Sequence, residues 1–178
     1  MEIGMGNSHK PAEVSEALGI TNWRNFVGNL RRAGYDVLPT PGWGQPISSA
    51  HAFEYRLQSF LGSYYSRALA YVVVKRIFSN IRETLGVEFE DIIEEPGHLE
   101  AFVHIKRYCV FTPDVEHLTT LFTLTDGNLE KAFSQIRKIA RSPSILTKGV
   151  SKNPDLTRSF VVVDLVDHLD RLKAALAE

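Results

Sequence analysis

Val87-Glu-Phe-Glu-Asp-Ile-Ile-Glu-Glu-Pro-Gly-His-Leu-Glu-Ala-Phe-Val-His-Ile-Lys-Arg-Tyr-Cys-Val-Phe111 decides between an all-helical chain and an α+β one. Apolar and polar residues alternate through much of it, and Glu95-Pro96-Gly97-His98 lies at its centre. Proline followed by glycine suits the two central positions of a type II turn. The stretch is therefore predicted to be a β-hairpin over 87–111. Its second arm, Leu99 to Phe111, is rich in Phe, Val, Ile and Tyr, residues that pack well on a pleated surface.

Downstream, Val115 to Leu124 fits neither period cleanly. Asp126-Gly127-Asn128 reads as a turn feeding an amphipathic helix with Leu129, Phe133, Ile136 and Ile139 on one side. The region of Pro143 and Pro154 is expected to be irregular, Ser159 to Leu165 a buried strand, and Asp167 to Ala177 a closing helix. Upstream, Phe53, Leu57, Phe60, Tyr64, Ala68, Val72, Ile81 and Leu85 recur at three- and four-residue steps over much of a long helical pattern, with Ser48 or Ser49 as its cap. Gly62 is a candidate break. Tyr71-Val-Val-Val74 leans locally toward strand, although helix is favoured there. Before that pattern, Pro39-Thr-Pro-Gly-Trp-Gly-Gln-Pro46 holds three prolines and two glycines in eight residues, which continue neither a helix nor a central strand. Pro11 to Leu18 and Asn22 to Ala33 read as two short helices joined through Gly19, with Gly34 stopping the second. The expected fold is α+β and mainly helical. A helical hairpin occupies 1–38, a Pro/Gly linker 39–47, and an α+β body 48–178 surrounds a small antiparallel or mixed sheet.

A chain of 178 residues buries roughly two thirds of the surface it exposes when unfolded, enough for one main core and a small appendage. Its lone cysteine, Cys109, excludes an intramolecular disulfide and a Cys-rich zinc site. A buried thiol with no nucleophile motif is expected to be inert. No apolar run reaches the roughly 18–20 residues needed to span a bilayer, and the first ten residues lack a signal-peptide hydrophobic region. These features are read as those of a cytoplasmic protein. The six histidines, His9, His51, His98, His104, His117 and His168, show no metal-binding pair spacing, and no P-loop or dinucleotide fingerprint is present. Neither a metal nor a cofactor is expected. Lys and Arg number 20 against 21 Asp and Glu, yet the charges segregate: residues 86–117 carry a net -6 and residues 131–158 a net +6. The balance thus excludes neither an anionic nor a cationic partner.

The segment Ala12-Glu-Val-Ser-Glu-Ala-Leu-Gly-Ile-Thr-Asn-Trp-Arg-Asn-Phe-Val-Gly-Asn-Leu-Arg-Arg-Ala33 resembles the helix-turn-helix of DNA-binding regulators. In that family, apolar residues such as Val14, Leu18, Ile20, Phe26 and Leu30 hold two helices together while the second enters the major groove. The resemblance implies that Asn22, Arg24, Asn25 and Asn29 face bases, with Asn suited to adenine and Arg to guanine or phosphate. Arg31 and Arg32 would lie on the DNA backbone. Phe26 stands one place later after the turn glycine than the family pattern has it, and Gly28 weakens the reading helix. Lys131, Arg137, Lys138, Arg141 and Lys148 would extend the electrostatic footprint. The leading expectation is a small non-enzymatic nucleic-acid-binding or regulatory protein acting on duplex DNA, with a homodimer through the long Phe/Tyr-rich helix compatible with the pattern.

Two alternatives stand beside it. The acidic 86–117 hairpin would suit an inhibitor or adaptor that engages a basic protein partner. A helix followed by a hairpin bearing Asp91, Glu100, His104 and Lys106 is also loosely similar to the PD-(D/E)xK nucleases, in which acids hold a divalent metal and a lysine positions water. A two-residue Pro96-Gly97 loop puts these four on one sheet face; a three-residue loop instead sets Glu90 opposite His104 and Glu88 opposite Lys106, a structural ladder. His104 also stands where that family has a hard oxygen ligand.

Overall fold

The computed structural model describes residues 8–112, 122–140 and 160–177. Their segments are mainly helical with two small antiparallel sheets, an α+β arrangement. Two compact units share the chain. The first comprises residues 1–102 and 167–178, the second 103–166. The division expected at 39–47 does not coincide with this grouping, because the N-terminal helices bury their apolar side within the first unit.

That unit opens with β1 (Ser8–His9), α1 (Pro11–Ala17) and α2 (Trp23–Ala33), followed by β2 (Ile47–Ser48), α3 (Ser49–Tyr64), α4 (Arg67–Leu85) and α5 (Phe89–Glu94). β1 pairs antiparallel with β2. Pro11 suits the first turn of α1, where its missing N–H costs no bond. Ser48 caps α3 by accepting the His51 N–H at 3.3 Å. The long apolar pattern is divided at Tyr65 and Ser66 and not at Gly62, which stays inside α3. Ser66 restarts the helix by accepting the Leu69 N–H at 3.1 Å. Tyr71 to Val74 is helical, and Val73 and Val74 are fully buried together with Ile77, Phe78 and Ile81. Tertiary burial outweighs the local strand preference of valine there.

The hairpin predicted over 87–111 is not formed. Residues 89–94 and α6 (Gly97–Ile105) are helical, and only the end of the second arm, β3 (Tyr108–Phe111), is extended. Asp91 closes back on Glu88, accepting its backbone N–H at 2.8 Å, which is a helix-start signal. Pro96 and Gly97 open a helix instead of turning a hairpin, with the Leu99 N–H reaching the Pro96 carbonyl at 3.1 Å. Leu99, Phe102 and Val103 are buried at three- and four-residue spacing. Alternation through Leu99, Ala101, Val103 and Ile105 competed with this helical period, and burial selected the helix.

In the second unit β3 is the middle of a three-stranded sheet between β4 (Phe122–Thr125) and β5 (Val161–Asp164), antiparallel on both sides. Asn128 caps α7 (Leu129–Ala140) by accepting the Lys131 N–H at 2.9 Å. Val110, Ala132 and Ile136 form its buried core, with Leu129, Phe133 and Phe160 packed against them. Arg107 grips Asp164 in a forked ion pair with bonds of 3.0 and 2.7 Å. Asp164 also accepts the Val166 N–H at 3.1 Å, starting α8 (Leu165–Leu176). The expected irregular region around Pro143 and Pro154 lies outside the described residues. No helix among the described residues is long and apolar enough to cross a membrane.

Candidate nucleic-acid interface

Asn22 begins α2 by accepting the Asn25 N–H at 3.0 Å, and Gly34 ends it in the left-handed region at φ 68°. Between these caps the helix has two unlike sides. Val27 and Leu30 are buried, while Trp23 and Phe26 meet Tyr55 edge-on at ring distances of 5.3 and 6.1 Å. This seats α2 against α3. Asn22, Arg24, Asn25 and Arg32 are exposed on the other side, with Asn29 and Arg31 half-buried. Arg32 donates to Asn29 Oδ1 at 2.6 Å and to the Gly28 carbonyl at 3.1 Å, so its guanidinium lies along the exposed stripe.

Arg31 has a different position from the one the helix-turn-helix resemblance implies. Its guanidinium donates to the Pro41 carbonyl and lies over the Trp43 ring, 4.4 Å from the centroid. Arg24 approaches the same ring at 5.9 Å. Trp43 nevertheless remains 56% exposed, leaving much of the indole free to contact a partner. Gln45 shapes the surrounding loop: its side chain accepts the Gly42 N–H at 2.9 Å, and its own N–H returns to the Gly42 carbonyl at 3.1 Å. A Cβ on Gly42 would stand only 3.0 Å from the Gln45 side chain.

The approach to this loop is fixed from below by one buried polar edge of α3. Gln58 Nε2 donates to the Tyr35 carbonyl at 2.9 Å. The Glu54 carboxyl oxygens accept the Val37 and Leu38 N–H groups at 2.9 and 3.1 Å. His51 Nε2 donates to the Pro39 carbonyl at 2.8 Å, which leaves Nδ1 to accept the Ser48 hydroxyl at 2.7 Å. Burial lifts the Glu54 carboxyl to about 8 despite its two amide donors, with Asp36 adding to the rise. The same desolvation pushes the His51 imidazole down and the Tyr55 phenol up. These groups order the backbone at 35–39 and thereby place Trp43 beside Arg24 and Arg31.

In the sequence Trp43 reads only as part of the Pro/Gly linker. The available signal was a lone aromatic in a Pro/Gly-rich loop just after two arginines spaced seven residues apart on one helix.

The remaining expected contacts lie on other elements. Lys131, Arg137 and Lys138 are exposed on α7 in the second unit, where the Arg137 guanidinium carbon lies 5.4 Å from the Phe160 centroid. Arg141 and Lys148 fall outside the described residues. Residues 88–105 do not form the sheet face required for nuclease chemistry: Asp91 lies in the first turn of α5, Glu100 pairs with Lys173 at 2.6 Å, His104 lies in the last turn of α6, and Lys106 follows that helix. No group of three or more metal-ligating side chains is gathered among the described residues. The acidic residues Glu88, Glu90, Asp91, Glu94 and Glu95 are exposed on and beside α5, not on a hairpin. Cys109 is buried in β3.

No protein-family model, curated protein or solved structure matches the chain.

Proposed function

We propose that this is a small non-enzymatic nucleic-acid-binding or regulatory protein that contacts duplex DNA through α2. The observation supporting this reading is the exposed polar side of α2, bordered by Arg24 and the Arg31–Trp43 contact. Asparagine offers the paired donor and acceptor that match adenine in the major groove, and arginine matches guanine or phosphate. In this reading Asn25, Asn29 and Arg32 meet base edges, Arg24 meets phosphate, and Asn22 fixes the helix start. Arg31 serves as a support for the loop instead of a backbone contact. Lys131, Arg137 and Lys138 form a basic patch on α7 that adds non-specific attraction.

Fluorescence anisotropy with a randomised labelled duplex at low salt tests this function. The parent protein is expected to bind, and Arg24→Glu with Arg32→Glu to weaken binding at least tenfold while the fold is retained. Affinity should fall as salt rises, because phosphate neutralisation releases counterions. Absence of parent binding, or binding unaffected by the double charge reversal, overturns the proposal.

A further inference from the structure

A concavity in the first unit, lined by side chains of α3 and α8 and by Leu18 after α1, has a different chemistry. Leu18, Arg56, Ser59, Phe60 and His168 line a pocket of about 200 Å³. Its volume exceeds the roughly 150 Å³ cavity that holds benzene in an engineered protein, and falls below the roughly 300 Å³ lower range of drug-sized sites. The space therefore suits one ring or a short branched chain with a small polar head.

The lining separates into an apolar and a cationic part. Phe60 and His168 meet edge-on with centroids 4.5 Å apart, and Leu18 supplies an aliphatic wall. Phe60 is 37% exposed, and neighbouring Tyr64, whose ring lies 5.2 Å from it, is 72% exposed. Arg56 and the Ser59 hydroxyl supply the polar part. Nε of Arg56 is buried and meets no hydrogen-bond acceptor among the described residues. Arg56 as a whole is half-buried and lines the pocket, where a guanidinium gains from an anionic acceptor.

The surrounding charges favour the same ligand class. Arg171 adds like charge near Arg56, and the compensating Asp167 carboxylate is bonded to Arg171 at 2.9 Å. Burial and Arg171 both disfavour the charged state of Arg56, while Asp167 opposes them.

The geometry points to a binding site for a small organic carboxylate with an apolar body: the carboxylate meets Arg56 and Ser59, and the body lies among Leu18, Phe60 and His168. The site is independent of the nucleic-acid reading and stands or falls separately from it.

Benzoate, its neutral analogue benzamide and inorganic phosphate are suitable probes, titrated into the full chain and followed by amide chemical-shift mapping. Benzoate is expected to bind with a Kd on the order of 1 mM, as its few heavy atoms allow, and to shift the signals of residues 18, 59, 60 and 168. Benzamide and phosphate should each bind at least tenfold more weakly. Arg56→Gln should reduce benzoate binding at least tenfold, with Arg56→Lys recovering part of it. If Arg56→Gln fails to fold, the three-probe comparison on the parent decides. No benzoate-dependent shifts in the parent up to about 20 mM, about twenty times that expected Kd, equal affinity for benzoate and either other probe, or unchanged benzoate affinity in folded Arg56→Gln overturns the site.

Discussion

The Arg31 guanidinium lies 4.4 Å from the centre of the Trp43 indole while donating a hydrogen bond to the Pro41 carbonyl. One side chain thus joins the last turn of α2 to both the backbone and the tip of the 39–46 loop. Removing it breaks an attraction worth about 0.5–1 kcal/mol at an exposed site and a hydrogen bond to a charged group worth about 1.5–3 kcal/mol. Arg31→Met is expected to lower the melting temperature and increase acrylamide quenching of Trp43. Trp23→Phe provides a background in which Trp43 is the sole indole. Unchanged quenching and stability would show that the contact does not order the loop in solution.

Under the proposed function, Trp43 lies beside the DNA-facing arginine edge. Duplex binding should alter Trp43 emission in the Trp23→Phe background, and Trp43→Ala should weaken binding about threefold to thirtyfold, the range of a moderate contact. Titration by fluorescence and anisotropy checks both effects. If duplex binds with neither an emission change nor a loss on Trp43→Ala, this edge is outside the interface.

Gly34 tests the end of the candidate recognition helix without changing its packing. A Cβ there meets nothing within 4 Å, but φ 68° is strained for alanine. Gly34→Ala should therefore destabilise the chain by about 1 kcal/mol through backbone conformation alone, with Gly34→Asn losing less. Urea denaturation of both variants measures this order. Here the sequence was direct: a polar residue before an amphipathic run and a glycine after it located α2, because both helix ends have their own local chemistry.

Asp91 shows where legibility ended. The Glu88-to-Asp91 segment fits an extended arm or a helical start, and the Glu88 N–H bond to Asp91 together with the Ile92 and Glu95 N–H bonds to the Glu88 and Asp91 carbonyls makes it a helix. The sequence also could not reveal that Leu99, Phe102 and Val103 share one buried helical side, since a short apolar run matches both periods. Trp43 was legible as a residue but not as a contact, because its placement depends on bonds from α3 to residues 35–39. Asp91→Ala should cost about 0.5–1.5 kcal/mol through loss of the bond that holds the Glu88 N–H, independently of magnesium. Thermal denaturation with and without magnesium tests that independence.

Glu54 and His51 impose opposite pH slopes on the segment leading to Trp43. The Glu54 carboxyl is raised from 4.5 to about 8, so folding favours its protonated form. Its contribution to stability is fully present below about 4.5 and declines as pH rises toward 8. His51 is lowered from 6.5, so folding favours its neutral form, and its contribution is lost as pH falls below that value. Glu54→Gln retains the size and neutral charge of the protonated acid and is expected to flatten the loss between about pH 4.5 and pH 8, the window set by the Glu54 shift. His51→Gln should instead reduce the decline below pH 6.5. Denaturant midpoints measured across pH separate the two slopes. Parallel parent and Glu54→Gln profiles would place the neutral-to-alkaline dependence elsewhere in the fold.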